Sequence, residues 1–241
     1  MVSERDLSQR HRYWWSSWTP ELNERCLSSI SSCSTNSMCH IINWAPVLTS
    51  SFPPKDSDLV AETAFGLFNF SVDAGVRVSL LDINIINIVV AQATKRIELL
   101  RGSGRNLTGL MTPDHIDFAK VLAQRLLDWV SIYRDTLEIQ PRLPGSGIVD
   151  ACYPDLIVGN QIIEVKMART IFKISDIRQA LVYSALAWLG TDRRIDRIIL
   201  TNPLLGVSWN FNLYEFVREI SGKTPVKFYE EFDQLSRRTH G

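Results

Sequence analysis

The clearest pattern in the chain is a helical repeat of apolar residues that begins after residue 112. Thr112, Pro113 and Asp114 are typical of a helix start, with threonine as the N-cap, proline at the first helical position and an acid in the first turn. Apolar residues then recur three or four positions apart, at Ile116, Ala119, Leu122, Leu126, Trp129 and Val130. The pattern predicts an amphipathic helix over residues 113–134.

Beyond this helix the apolar residues occur in short runs separated by turn residues, which is typical of strands. Three strands are predicted, at 137–143, 148–158 and 161–167. The remaining chain predicts a helix at 175–190 that stops at Gly190, a strand at 195–201, and helices at 213–220 and 225–235. Short connections favour an antiparallel meander for the first three strands, and the fourth can add in parallel after the helical crossover.

The first half of the chain has weaker patterns. A helix is predicted at 58–70, and either a helix or a strand followed by a helix at 80–100. Residues 1–56 show little periodicity and receive no assignment. Glycines at 102, 104 and 109 indicate a loop. The sequence therefore predicts a mostly helical N-terminal elaboration over 1–111, packed on an α/β core that spans 112–241.

The second and third strands are joined by Gly159-Asn160, a favourable two-residue hairpin turn in which glycine can take a positive φ. This turn pairs Asp155 with Glu164. Because strand residues alternate between faces, Lys166 lies on the same face as Glu164, opposite Tyr153. Directly opposed Cβ atoms are roughly 5 Å apart. The pairing therefore predicts two carboxylates and an ammonium group on one face of the sheet.

Two carboxylates that close repel each other unless a cation lies between them. Oxygen ligands suit Mg²⁺, which keeps several waters and can accept phosphate oxygens in its remaining positions. A metal ion held in this way polarises a phosphate and lowers the pKa of a bound water. Lys166 could then position or help deprotonate the attacking water, or balance charge in the transition state.

At these residues the chain resembles the PD-(D/E)XK nuclease superfamily, which has the restriction-endonuclease-like fold. Pro154-Asp155 resembles the first element of its motif and Glu164-Val165-Lys166 the second. The resemblance spans about residues 112–205. It implies a metal site made by Asp155, Glu164 and the backbone carbonyl of Val165, with Lys166 catalytic and Mg²⁺ or Mn²⁺ as the cofactor.

The helix that follows adds Gln179 and Tyr183, which resemble the Q-x-x-x-Y element of the RecB-like branch of the superfamily. Residues four apart lie on one face of a helix. Both side chains could therefore reach the metal site or the backbone of a nucleic acid. The resemblance favours DNA over RNA as the substrate.

Other acidic residues are alternative ligands. Asp150 is a rival for the first acid or could belong to a second metal site, although an acid in a turn at a strand end is an equally good interpretation. Asp117, Asp128 and Glu62 could add a further acid, but solvated charges on helix surfaces explain them better. His115, in the first helical turn, is expected to have a capping or surface role.

Two features of the N-terminal region have an ordinary explanation and a functional one. Cys26, Cys33, Cys39 and His40 could bind zinc, but they lack the tight spacing of zinc knuckles, so ordinary thiols are favoured. The stretch Arg10–Trp15 mixes basic and aromatic residues, as surfaces that stack on nucleic acids do. Packing of this stretch against the core is the favoured interpretation.

Composition narrows the class of protein. The 241 residues are 45% hydrophobic and 22% charged, with 26 basic and 26 acidic side chains, which is typical of a globular protein and excludes a histone-like polycation. No run reads as a membrane span or a signal peptide. Four cysteines at uneven spacings make a disulfide framework unlikely, so a cytoplasmic protein is expected. No ATPase phosphate-binding motif is present, so a helicase or ATPase partner is an option. The alternative to a nuclease is a non-catalytic nucleic-acid-binding or assembly subunit.

Overall fold

A computed structural model describes residues 1–10, 12–23, 26–28, 30, 39–49, 57–101 and 111–238. Eight α-helices and six strands have both ends within these ranges. The helices are α1 (Glu4–Arg10), α2 (Arg12–Trp18), α3 (Ser57–Ala74), α4 (Ile83–Arg101), α5 (Pro113–Val130), α6 (Ile174–Thr191), α7 (Leu213–Ser221) and α8 (Pro225–Arg237). The strands are β1 (Cys39–Asn43), β2 (Leu137–Ile139), β3 (Leu156–Val158), β4 (Gln161–Val165), β5 (Arg197–Asn202) and β6 (Val207–Asn212).

The strands form one six-stranded sheet in the order β1-β6-β5-β4-β3-β2. Only β4 and β5 are parallel, and α6 makes the crossover between them. The antiparallel meander of β2, β3 and β4 and the parallel addition of β5 confirm the predicted topology of these four strands. The protein is therefore a mixed α/β fold with a mostly antiparallel sheet.

The sheet separates two hydrophobic cores. On one face, α3 and α5 pack on Leu156, Val158, Ile163 and Val165. On the other face, α1, α2, α6, α7 and α8 pack on strand residues that include Ile157, Ile162, Ile198 and Leu200. Each core also buries residues from the N-terminal region. Trp15 is in the core beside α6, and Phe68 is in the core beside α3 and α5. The first hundred residues thus help to sandwich the sheet between two helical layers.

All the predicted helices are present, with shifted ends. Thr112 caps α5 through its Oγ1, which accepts a hydrogen bond from the His115 N–H at 3.4 Å. His115 Nδ1 in turn accepts the Thr112 N–H at 3.2 Å, so the expected capping role of His115 is confirmed. The predicted stop of α6 at Gly190 is wrong. The helix continues to Thr191, and Asp192 takes the left-handed conformation that ends it, with φ 50°.

Several strand predictions need correction. The first two predicted strands are too long, because β2 has only Leu137–Ile139 and β3 only Leu156–Val158 in regular pairing. β1 and β6 were not predicted. In β6 the large residues Val207, Trp209 and Phe211 alternate with polar ones, so a strand pattern exists there. β1 has no comparable alternation, and its pairing with β6 depends on the rest of the sheet being in place.

The aromatic N-terminal stretch packs as expected. Trp14 and Trp15 in α2 are 2% and 1% exposed, and Trp18 stacks on Phe228 of α8 at a ring-centroid distance of 4.2 Å. The side chains of residues 10, 12 and 13 and all of residue 11 lie outside the described part of the chain. For the tryptophans, packing against the core is confirmed. None of the described helices is both long and apolar enough to cross a membrane.

Candidate active site

The site lies at the end of the β3–β4 hairpin that is remote from its turn. The observed register pairs Val158 with Gln161, Ile157 with Ile162 and Leu156 with Ile163, as predicted. Gly159 has φ 54°, a conformation that glycine adopts without strain. One step beyond the last regular pair, this register brings Asp155 opposite Glu164.

Asp155 and β4 are joined directly. The Val165 N–H donates a hydrogen bond to Asp155 Oδ2 at 2.8 Å, and the Asp155 carbonyl accepts the Gln140 N–H at 2.9 Å. Gln140 has φ 46°, an uncommon conformation for a residue with a side chain. The carboxylate of Asp155 is therefore fixed across the strand from Glu164, on the face that packs against α6.

Pro154 explains why the main-chain N–H of Val165 bonds to a side chain and not to the main chain of the neighbouring strand. At a hydrogen-bonded position of an antiparallel pair, the N–H and C=O groups of one residue point to the same edge of its strand. Both groups form hydrogen bonds with the same residue of the neighbouring strand. The register makes Pro154 the partner of Val165, and proline has no N–H to donate. The Val165 N–H turns to the side chain of Asp155, and we expect the Val165 carbonyl to face the same side without a strand donor.

Lys166 is the centre of a hydrogen-bonded network. Its Nζ lies 2.9 Å from Glu164 Oε1 and 3.1 Å from Gln179 Oε1. Asp176 Oδ1 forms an ion pair with the same ammonium group at 3.5 Å. The Lys166 main-chain N–H donates to the Thr201 carbonyl of β5 at 2.8 Å, which fixes the residue at the end of the parallel strand pair.

Gln179 and Tyr183 extend this network along α6. Gln179 accepts from Lys166 through Oε1, and its Nε2 lies 2.7 Å from the Tyr183 hydroxyl. Gln179 is 6% exposed and Tyr183 only 2%. The sequence allowed Gln179 and Tyr183 to reach either the metal site or the backbone of a nucleic acid. The structure shows a contact with the candidate site, in which Gln179 binds Lys166. Burial keeps the Tyr183 side chain away from a ligand on the surface.

Glu164 brings a buried carboxylate to the site. The residue is 4% exposed, and its Oε2 is buried with no hydrogen-bond partner among the described residues. A buried carboxylate oxygen without a donor or a cation is unfavourable. The orphaned oxygen beside Asp155 is the property expected of a carboxylate that binds a cation.

The pKa values of the neighbouring groups reflect this crowding. Burial, followed by the charge of Glu164, raises the pKa of Asp155 well above its ordinary value, against the opposing effect of Lys166. Burial lowers the pKa of Lys166, but the charges of Glu164, Asp176 and Asp155 outweigh that effect and the pKa ends above its ordinary value. Lys166 is therefore a permanent cation among acceptors. Burial also raises the pKa of Tyr183, which keeps its phenol protonated.

Two further acids act on the site, of which Asp176 was not predicted and Glu62 was named only as a less favoured alternative. Asp176 contacts Lys166, and a signal for it existed, since it precedes Gln179 by three residues on the same helix. Glu62 of α3, treated above as a solvated charge, forms an ion pair with Arg96 at 2.6 Å and also raises the pKa of Asp155. Only the tertiary structure brings Glu62 towards the site.

The other candidate acids show no side-chain contact with Asp155, Glu164 or Lys166 in the described part of the chain. The main-chain N–H of Asp150 donates to the Val2 carbonyl at 3.0 Å. Asp117 is paired with Lys120 at 3.1 Å, and Asp128 accepts from Gln124 at 2.8 Å. These last two contacts are ordinary helix-surface interactions, as expected.

One of the four cysteines, Cys152, adjoins the candidate site, because the charge of Glu164 contributes, after burial, to raising the pKa of its thiol. Cys39 and Cys152 are buried, and burial raises the pKa of the Cys39 thiol to about 12. Cys26 is half-buried and is also a free thiol, and Cys33 lies outside the described residues. Within the described ranges, no three His, Cys, Asp or Glu side chains are grouped to hold a metal ion. A cation between β3 and β4 would have two carboxylates and a main-chain carbonyl as protein ligands.

Comparison with known proteins does not identify a family for this chain. No protein-family model matches the chain, and no curated protein matches it significantly.

Proposed function

We propose that this protein is a metal-dependent nuclease that hydrolyses phosphodiester bonds in DNA, with a core of the PD-(D/E)XK type. One observation carries the proposal. Asp155, Glu164 and Lys166 converge at the end of one hairpin, and the Oε2 atom of Glu164 is buried there without a partner. A helix, a three-strand meander, a helix and a parallel strand surround this point in the order that the resemblance implies.

The residues present fit a hard divalent cation. Asp155, Glu164 and the Val165 carbonyl offer oxygen atoms only, which Mg²⁺ and Mn²⁺ prefer to nitrogen or sulfur. A cation there would relieve the repulsion between the two carboxylates. When bound, Mg²⁺ or Mn²⁺ would polarise the scissile phosphate and lower the pKa of a water molecule.

The side chains around the carboxylates have separate tasks. Lys166 presents a fixed positive charge, which would orient the attacking water or stabilise the negative charge that develops on the phosphate. Gln179 is a positioning residue, because it holds Lys166 Nζ through its amide oxygen. Tyr183 positions Gln179 in turn through its hydroxyl. Neither would touch the substrate.

The decisive assay is cleavage of labelled duplex DNA, single-stranded DNA and RNA, each with and without Mg²⁺ or Mn²⁺. Asp155→Ala and Lys166→Ala are compared with Lys223→Ala. Lys223 is a well-matched control, because its side chain is 20% exposed against 22% for Lys166, and it also pairs with a glutamate, Glu231. We expect metal-dependent cleavage that both site variants lower by roughly 100-fold or more and that the control retains.

Three outcomes separate the proposal from its rivals. Cleavage that is lost in both site variants supports a nuclease. Binding of nucleic acid without cleavage at any metal concentration contradicts the nuclease and supports a non-catalytic binding subunit. Cleavage that Asp155→Ala and Lys166→Ala leave intact would show that the reaction occurs elsewhere or comes from a contaminant.

A further inference from the structure

A groove of about 360 Å³ lies between α3 and α4, in the N-terminal region of the chain. Residues three and four positions apart lie on one face of a helix, and the lining residues of each helix have this spacing. The groove is therefore formed by one face of α3 and one face of α4. Its polar lining residues are Glu62 and Asn69 of α3, Gln92, Lys95 and Arg96 of α4, and Gln140, which directly follows β2.

The groove adjoins the candidate metal site. The main-chain N–H of Gln140 donates a hydrogen bond to the Asp155 carbonyl at 2.9 Å, so one lining residue is joined directly to Asp155. On the α3 wall, the charge of Glu62 adds to burial and to the charge of Glu164 in raising the pKa of Asp155. A polynucleotide whose scissile phosphate is bound at Asp155 and Glu164 therefore has a path into this groove.

The groove differs from the metal site in charge. Its described lining has two cations, Lys95 and Arg96, against one acid, Glu62. The whole chain has 26 basic and 26 acidic side chains, so this surplus is local. At the metal site, by contrast, Asp155 and Glu164 repel a polyanion. A positive surplus beside two acids would attract the substrate and hold it in place while the cation offsets the repulsion.

The two cations are available in different ways. Lys95 is exposed and has no ion pair with any described residue. Arg96 is 52% exposed, and its Nη1 lies 2.6 Å from Glu62 Oε1. A guanidinium group has five N–H donors, so the pair with Glu62 orients Arg96 and leaves donors for a second ligand. Arginine matches the geometry of a phosphate through paired donors, and lysine adds a point charge.

We propose that the groove between α3 and α4 binds a backbone phosphate that flanks the scissile one, with Lys95 and Arg96 as its cationic ligands. This inference rests on the proposed nuclease function and assigns a second part of the substrate site to the N-terminal region. Phosphate contacts fix the register of a nucleic acid without reading its sequence. The groove therefore positions the substrate and does not select a sequence.

The first test measures how the affinity for a short labelled DNA duplex depends on salt, by fluorescence anisotropy in Mg²⁺. Every protein carries Lys166→Ala, so that the duplex stays intact during the measurement. Lys95→Ala is compared with Lys95→Arg, which keeps the charge, and with Lys227→Ala. Lys227 is a matched control, because it is also an exposed lysine without an ion pair among the described residues. It lies on α8, which packs on the other face of the sheet.

The loss of one phosphate contact should lower the slope of log affinity against log salt concentration by about 0.9. Lys95→Ala should bind the duplex roughly 5-fold more weakly at low salt, which is the effect of about one exposed charge pair. Between about 50 and 200 mM salt it should lose about 3.5-fold less affinity than its parent, because one counterion fewer is released. Lys95→Arg and Lys227→Ala should keep the slope of the parent.

Arg96 is tested without leaving Glu62 unpaired beside Asp155. The double variant Glu62→Gln/Arg96→Ala is compared with Glu62→Gln alone, both in the Lys166→Ala background. The double variant should show a slope that is lower by about 0.9 than that of Glu62→Gln. An effect on the fold alone would leave the slope unchanged, because the slope counts the phosphates that are neutralised.

A second measurement separates binding from chemistry. Lys95→Ala is assayed for cleavage of the duplex in the otherwise wild-type protein, beside Lys227→Ala. The KM of Lys95→Ala should rise by roughly the 5-fold loss of affinity, and kcat should change by less than about 2-fold. A contact with a phosphate that does not react is expected to be equally strong in the bound substrate and in the transition state.

The results that overturn this inference differ from those that overturn the nuclease. If wild type cleaves in a metal-dependent way but Lys95→Ala and the Arg96 double variant keep the slopes of their parents, the groove does not bind the substrate and the nuclease stands. A lower kcat with unchanged KM also contradicts the groove. Lower slopes in a protein that binds the duplex but never cuts it would support the groove and overturn the nuclease. If wild type neither binds nor cuts DNA while it remains folded, both proposals fail.

Discussion

The two faces of the β3–β4 hairpin are made by neighbouring residues but differ in kind. The face towards α3 and α5 carries only apolar side chains, all buried, from Leu156, Val158, Ile163 and Val165. The face towards α6 begins with the buried pair Ile157 and Ile162 and then changes to Asp155, Glu164 and Lys166. One face is optimised for packing. On the other face, charged side chains replace apolar ones at one end. Such a replacement lowers stability and is typical of sites that bind a ligand or catalyse a reaction.

The largest effect is expected from a change on the apolar face. Ile163 is fully buried between the sheet and the α3–α5 layer, so Ile163→Ala should lower the free energy of unfolding by about 2–5 kcal/mol through lost burial and a cavity. Urea unfolding measures this, with Ile88→Ala as the control because Ile88 is 49% exposed. A loss as small as that of the control would mean that this face is not close-packed.

The charged face should respond to a divalent cation instead. At a Mg²⁺ concentration about 100-fold above Kd, binding to the folded state alone adds about 2.7 kcal/mol to the free energy of unfolding. In a chain of this length the gain corresponds to a rise in Tm of about 5–10 °C. Asp155→Asn and Glu164→Gln should remove the rise at matched ionic strength.

Asp150→Asn is the control for this experiment, because Asp150 was the alternative ligand and makes no side-chain contact with the cluster among the described residues. It should keep the full response to Mg²⁺. If Asp150→Asn loses the response to Mg²⁺ and Asp155→Asn keeps it, the metal ligand is Asp150 and not Asp155.

The raised pKa of Asp155 predicts how stability depends on pH when no metal is present. The folded state holds the Asp155 proton more tightly than the unfolded state does, so the free energy of unfolding has its full Asp155 contribution at low pH. That contribution is lost as pH rises from about 4, the ordinary value for aspartate, through the raised pKa of the folded protein. Asp155→Asn should flatten this part of the profile and stabilise the metal-free protein at neutral pH.

Urea unfolding across weakly acidic to weakly basic pH, in a chelator, measures this profile for wild type and Asp155→Asn. The wild-type profile should become flatter when Mg²⁺ replaces the chelator, because the cation favours the charged carboxylate. If the two proteins have the same pH profile in the chelator, the charge on Asp155 is not destabilised by burial.

The smallest change in stability is expected from Pro154→Ala, which restores an N–H opposite the Val165 carbonyl. The new donor can pair with that carbonyl, so the free energy of unfolding should change by less than about 1 kcal/mol. The affinity for Mg²⁺ should nevertheless fall by roughly 10-fold, because a ligand oxygen is now engaged. Calorimetric titration with Mg²⁺ checks this against Pro113→Ala, at the exposed first residue of α5. Unchanged affinity would exclude the Val165 carbonyl as a ligand.

Local signals determined much of what was predicted correctly. A Gly-Asn turn allows a positive φ at Gly159, and this alone fixed the register that opposes Asp155 and Glu164. Strand alternation placed Lys166, and the Thr112 cap placed the start of α5. These features depend on residues close together in the chain, so the sequence contains the information that they need.

The tertiary structure decided the features that depend on distant segments. Cys39–Asn43 becomes a strand because β6 offers it an edge, and Glu62 acts on Asp155 because α3 packs beside the hairpin. The burial of Glu164 and Tyr183, which isolates the charges from water, comes from helices that cover the sheet. Periodicity in a sequence reports which face of an element is apolar, but the free energy of a buried charge depends on every group packed around it, and that set exists only in the folded chain.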